Sequence, residues 1–215
     1  MSTQNTNCFN KGNYESINDE YMNAMAPLIE EIKKIQKKFK IKDNDTLFNA
    51  YNDSTAGKIL GFDSINTGKH GFDCKTSNGK EAFLESKVAS WSASSIAATF
   101  NDTTIEKANA FKGDNVWLAL SVCDGLSDLM FICYGQNKKI GEFLEKRIID
   151  QTNKNTRRTQ TISLSALIFD YGFKIVAVNR TKEEVYSMLT SISKRFQSLD
   201  KNIIVDAADF KGIKF

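Results

Sequence analysis

Asp73, Glu85 and Lys87 are the residues of this chain whose types and spacing can do chemistry. They stand in the run Asp73-Cys-Lys-Thr-Ser-Asn-Gly-Lys-Glu-Ala-Phe-Leu-Glu85-Ser-Lys87. Asn78-Gly79 at its centre is a hairpin dipeptide, because a tight turn needs backbone angles that Asn and Gly tolerate. After it the chain alternates, with Glu81, Phe83, Glu85 and Lys87 on one side and Ala82, Leu84, Ser86 and Val88 on the other. Strand side chains point to opposite faces with period two, so Glu85 and Lys87 share a face roughly 7 Å apart. With Asp73 at the end of the partner strand, a second carboxylate reaches Glu85. Paired carboxylates suit a hard divalent cation such as Mg²⁺, and a lysine beside them can position or deprotonate a water. Such a set hydrolyses phosphodiesters. A Glu-x-Lys triplet alone is an ordinary solvated strand face, worth less than about 1 kcal/mol. The spacing to Asp73 and the turn between them single this one out.

A sheet must hold these groups, and the rest of the chain offers one. Residues 116–122 and 129–134 are apolar runs bounded by turn signals and read as two adjacent buried strands. Residues 162–169 and 173–178 read as a further hairpin, and 202–205 as a short last strand or extended tail. Helical periodicity runs over 21–39, with Met25, Leu28, Ile29, Ile32, Ile35 and Phe39 on one face. Pro27 belongs near a helix start, which puts Glu30 and Glu31 in the first turn, where carboxylates complement the dipole. Lys33, Lys34, Lys37, Lys38 and Lys40 make a solvated or phosphate-contacting face. Residues 47–59 suggest a short helix and loop. Thr103 and Glu106 have capping-box spacing for a helix over 105–111. Further helices are expected over 139–150 and, opened by Thr181, over 181–196. The fold class expected is α/β, a mixed central β-sheet flanked by helices, in one domain over 1–215 with 1–18 loosely ordered.

Composition narrows the chemistry. The 215 residues are 41% hydrophobic, enough for a real core, and carry a formal charge of only +3. Any basic surface must therefore come from local clustering. Cys8, Cys74, Cys123 and Cys133 have no Cys-x-x-Cys spacing, and His70 is the sole histidine, which argues against an ordinary zinc site. His70 is also the one histidine available to a histidine-base hydrolase. No Gly-x-Ser-x-Gly elbow or phosphate-binding Gly-x-x-x-x-Gly-Lys loop occurs. No apolar run has the length of a signal peptide or a membrane span, so the expectation is a soluble, cytoplasmic protein with reduced thiols.

The Asp73 and Glu85-Ser86-Lys87 pattern, led by Gly68-Lys69-His70-Gly71-Phe72, resembles the PD-(D/E)XK nuclease superfamily, and within it the type II restriction endonucleases. Here Phe72 stands where the family's pattern has proline. The resemblance implies Asp73 and Glu85 as Mg²⁺ ligands and Lys87 beside the attacking water, with Asp63, in a like Gly-Phe-Asp setting, as the alternative aspartate. A helix glutamate upstream, Glu30 or Glu31, joins the metal site in several relatives. The implied restriction-type fold often brings the segment after the Glu-x-Lys strand to DNA, which makes Asn101 and Thr103 candidate contacts. Arg157 and Arg158, in the polar stretch 151–160, suit phosphate or guanine. The expected function is a sequence-specific double-stranded DNA endonuclease acting as a homodimer. The alternatives are a structure-specific, resolvase-like nuclease and a non-catalytic DNA-binding module on the same fold.

Overall fold

The longest apolar runs of the chain make the centre of its sheet. In the computed structural model, which describes residues 19–39, 47–65, 71–76, 80–101, 103–125, 128–154 and 159–214, β5 (Val116–Asp124) and β6 (Asp128–Gly135) are buried on both faces. Strands covered on both sides have to be apolar throughout. They pair antiparallel, with Leu120 opposite Cys133. β3 (Phe83–Ser90) lies parallel to β5, placing Glu85 opposite Leu118 and Lys87 opposite Leu120. On its other edge β3 takes the short antiparallel β2 (Cys74–Lys75), which in turn takes β1 (Asp63–Ser64). Beyond β6 come β8 (Lys174–Ala177), antiparallel to it, and β9 (Ile204–Asp206), parallel to β8. Among the described residues these strands form a seven-stranded sheet in the order β1-β2-β3-β5-β6-β8-β9. A separate antiparallel pair joins β4 (Ala97–Asn101) to β7 (Thr159–Ser163).

Helices flank the main sheet, as its alternating side chains require. Leu118, Leu120, Val122 and Ile175 share one core with α3 (Ile105–Ala110), α4 (Lys138–Lys154), α5 (Leu164–Phe169) and α6 (Lys182–Ile192). The opposite face, with Leu84, Ala119, Ile132 and Val176, packs on Ala56 and Leu60 of α2 (Leu47–Leu60) and on the C-terminal Phe210 and Ile213. The architecture is thus α/β, a mixed sheet between helices.

Chain contacts divide the protein into Met1–Leu47 and Phe48–Phe215, and the whole sheet lies in the second unit. The first contributes α1 (Asp19–Phe39), which begins eight residues before Pro27 instead of at it. A proline removes one amide donor, and here good helix formers on both sides carry the helix past it. Glu30 and Glu31 consequently sit in mid-helix, exposed, each 2.6 Å from the lysine three residues on. The expected loose order of 1–18 lies outside the described residues.

Three other expectations change. The stretch 162–169 is not a strand of a hairpin: β7 ends at Ser163, whose hydroxyl caps α5 by accepting from the Ala166 amide. A six-residue apolar run has no period long enough to separate strand from helix, and the Ser163 cap decides it. The polar stretch 151–160 is shorter than it reads, because α4 continues to Lys154 and β7 starts at Thr159. The cap of α3 is Thr104, not Thr103, and accepts from the Lys107 amide. The capping box does form at Thr181 with Glu184 on α6.

Candidate active site

The site forms where β2 stops and β3 continues. Asp73 directly precedes β2, and its amide donates to the Leu84 carbonyl at 3.0 Å. The next outward amide of β3, that of Ser86, finds no strand partner there and donates to Asp73 Oδ2 at 2.7 Å. The aspartate thus extends by its side chain a ladder that β2 is too short to continue. The N–H and C=O of one strand residue face the same edge, so the Ser86 carbonyl is presented beside Asp73.

Glu85 points to the other side, into the face that carries α3, and is 3% exposed. An isolated carboxylate so deep in protein is costly, and two lysines answer it. Lys87 Nζ donates to Glu85 Oε1 at 2.6 Å, and Lys107 Nζ of α3 lies 2.6 Å from Oε2. The second contact is an ion pair without hydrogen-bond alignment, so Oε2 is a buried oxygen lacking a hydrogen-bond donor. Lys107 Nζ also donates to the Gly71 carbonyl at 3.1 Å and sits 5.3 Å from the Phe72 ring centre, while Lys87 Nζ lies 5.5 Å from that of Phe100. Alignment of charge over an aromatic face is favourable and shields both ammoniums from water.

Charge coupling shows what surrounds Asp73. Burial, then the Glu85 charge and more weakly that of Asp53 on α2, push its carboxyl up to about 7, against the pull of Lys87 and of the Ser86 N–H. Burial works against the Lys87 ammonium, yet Glu85, Asp73 and Asp53 together hold its pKa above the ordinary lysine value. Lys87 is therefore an ammonium at neutral pH, a donor and not a base. Burial raises the neighbouring Cys74 thiol to about 12, which keeps it unreactive.

The remaining candidates fall elsewhere. Asp63 is exposed on the edge strand β1, opposite Lys75, and Asp73 is the aspartate brought to Glu85. Asn101 is exposed at the end of β4 and accepts a hydrogen bond from Thr159 Oγ1 at 3.2 Å. Thr103 is 6% exposed, so of these two only Asn101 is offered to solvent. His70, Arg157 and Arg158 lie outside the described residues, as do Asn78 and Gly79, the expected turn dipeptide. Sequence reasoning missed Asp53 and Lys107. Neither lies near the motif in sequence, and no spacing rule links them to it.

Among the described residues no group of three or more His, Cys, Asp and Glu side chains is arranged to enclose a metal ion. Mg²⁺ does not need such a cage, since it is held by one or two carboxylates with waters and phosphate oxygens completing its shell. Asp73, Glu85 and the Ser86 carbonyl are donors of the type Mg²⁺ takes, with both Glu85 oxygens already facing an ammonium, and the like charges of Glu85 and Asp53 on Asp73 are what a divalent cation would relieve. In donor type the residues fit the ion. No protein-family model and no curated protein matches the chain.

Proposed function

We propose that this protein is a Mg²⁺-dependent, sequence-specific double-stranded DNA endonuclease of type II restriction type, built on the PD-(D/E)XK plan. One observation carries the reading: Asp73 accepts from the Ser86 amide at the end of a two-strand ladder, and the adjacent buried Glu85 holds the Lys87 ammonium at 2.6 Å. Asp73, Glu85 and the Ser86 carbonyl would hold the ion. When bound, Mg²⁺ polarises the scissile phosphate and acidifies a coordinated water. Lys87, charged at neutral pH, orients that water in line with the scissile bond and stabilises charge on the phosphate oxygens. Asn101, exposed at the end of β4, would contact DNA, with Arg157 and Arg158 as further contacts. A palindromic site cut in both strands calls for two copies related by a two-fold axis, hence a homodimer. Its place of action in this proposal is the cytoplasm; among the described residues no helix is long and apolar enough to cross a membrane.

A second reading rests on Glu85, both of whose oxygens already face an ammonium. A carboxylate so neutralised is also what a structural ion cluster needs, and it favours a non-catalytic DNA-binding module. Incubation with unmethylated phage DNA, with Mg²⁺ and with EDTA, separates these. Discrete fragments with Mg²⁺ alone establish the site-specific enzyme, and Asp73→Asn, Glu85→Ala and Lys87→Ala should each lower the rate by orders of magnitude. A smear, or cutting confined to branched DNA, replaces it by a nonspecific or resolvase-like nuclease. Intact DNA under every metal and substrate supports the non-catalytic module.

A further inference from the structure

α1 differs from the longer helices of the chain in the state of its apolar side chains. α2 buries Ala56 and Leu60, α4 buries Ile140 and Leu144, and α6 buries Val185 and Leu189. On α1, Leu28, Ile29, Ile35 and Phe39 are 55%, 43%, 44% and 62% exposed. They are four of the nine large apolar side chains left exposed among the described residues, and the other five are scattered singly. Single exposed apolar residues are ordinary, whereas a contiguous stripe marks a surface that something covers.

The spacing says what fits it. Tyr21, Met25, Leu28, Ile32, Ile35 and Phe39 follow one another at steps of four, three, four, three and four along the helix. That is the 3.5-residue repeat of a seam between two helices, narrower than the stripe a helix lays on a globular core. Pro27, Lys33, Lys34 and Lys37 take positions outside the seam. Such a seam needs a second helix of similar length with a free stripe of its own. Among the described residues only α1 has one, and the flanking stretches 1–18 and 40–46 carry no such repeat. Charge fixes the orientation. Asp19, Glu20, Glu30 and Glu31 fill the first half of α1 without a lysine, and Lys33, Lys34, Lys37 and Lys38 fill the second without a carboxylate. A parallel copy would set lysines beside lysines, whereas an antiparallel copy sets each acidic half against a basic one. The antiparallel register that opposes Leu28 to Ile32 of a second copy uses the same patch on both chains, as a two-fold interface requires. Glu31 falls nearest the axis of that pair, and its own Lys34 already lies 2.6 Å from it.

We propose that α1 is a self-pairing helix, through which two copies of this chain associate antiparallel. The pairing supplies the surface for the homodimer proposed above without resting on cleavage: a chain that leaves DNA intact would still pair through α1. Sedimentation equilibrium of the full chain over about a hundredfold range of concentration tests it, with the thermal transition followed by circular dichroism as the folding control. The wild type should dimerise. L28D/I35D, at exposed positions, should raise the dimer Kd by about 10²-fold or more, as for loss of central apolar anchors, with the fold retained. K37E/K38E should weaken the dimer about tenfold, and adding D19K/E20K to the same chain should restore it, because reversing both halves recovers the complementarity. A wild type monomeric throughout overturns the proposal and leaves the seam to another protein or to this chain itself. A dimer that L28D/I35D leaves intact places the interface elsewhere and overturns it too. Failure of the four-fold charge reversal to rescue overturns the antiparallel pairing, and that rescue decides alone if L28D/I35D does not fold.

Discussion

Replacing Glu85 by glutamine tests the ion cluster as a structural device before any chemistry is assayed. The change keeps the shape of the side chain and one acceptor, but leaves the buried Lys87 and Lys107 ammoniums, 22% and 13% exposed, without their shared counter-charge. At 2.6 Å each contact is worth about 6 kcal/mol of gross attraction at an effective dielectric of about 20, most of it offset by desolvation. Breaking one partner of a buried pair costs about 3–5 kcal/mol in practice, and that is the expected loss. For a chain of this size it lowers Tm by roughly 6–20 °C. Folding is therefore not spared by changes at Glu85, contrary to what an exposed strand position would suggest, so activity data on Glu85→Ala need a stability control. Urea unfolding followed by far-UV circular dichroism measures the loss, and adding Lys107→Met to Glu85→Gln should recover part of it by removing one unpaired ammonium. If Glu85→Gln unfolds within about 0.5 kcal/mol of wild type, the burial and pairing described for the site are wrong.

Asp73 predicts a pH dependence of definite sign. Its folded pKa near 7 lies above the ordinary 3.8, so the stability it contributes is full below about pH 4 and lost as pH rises through about 7. Asp73→Asn, which keeps an acceptor for the Ser86 amide, should remove that slope and exceed wild type in unfolding free energy at pH 8, from urea titration, by up to about 4 kcal/mol. Equal slopes in the two proteins contradict the assignment. Saturating Mg²⁺ should raise the wild-type Tm more at pH 8 than at pH 5, because a protonated Asp73 cannot ligate, and EDTA should abolish the difference. Asp53→Asn, by removing a like charge, should lower the Asp73 titration midpoint followed at the Ser86 amide by NMR, and an unmoved midpoint removes Asp53 from the site. Gly141→Ala on α4 would set a Cβ 2.4 Å from the Ala108 carbonyl and 2.9 Å from the Lys112 amide, and should cost about 1–3 kcal/mol in thermal denaturation by forcing α3 away.

The strands that could be foreseen are those whose burial is written into their composition. β5 and β6 are apolar at nearly every position and flank a turn whose Gly125 has φ +66°, and β3 shows its alternation because one face carries charge. The errors sit where local pattern is silent. Residues 164–169 and 174–177 are short apolar runs of similar composition, yet one becomes α5 and the other joins β6 and β9. Partners far along the chain choose between such states, through contacts no window of ten residues contains.

The same limit divides the site. Asp73, Glu85 and Lys87 were legible because one hairpin brings them together and strand period fixes which side each faces. Asp53 and Lys107 come from helices on opposite faces of the sheet, α2 with the core of Leu84 and α3 with the core of Leu118. Each lies about twenty residues from the nearest motif carboxylate in sequence. Lys107 reaches Glu85 from α3, a helix that approaches α4 closely at Gly141, where no side chain intervenes. That contact is made by a glycine with no chemistry of its own, so a reading that searches for reactive residue types passes over it. The burial of Glu85 is the physical trace of Lys107. A carboxylate 3% exposed on a strand beside only one lysine would be underpaid in charge, and a second cation had to come from the helix that covers it.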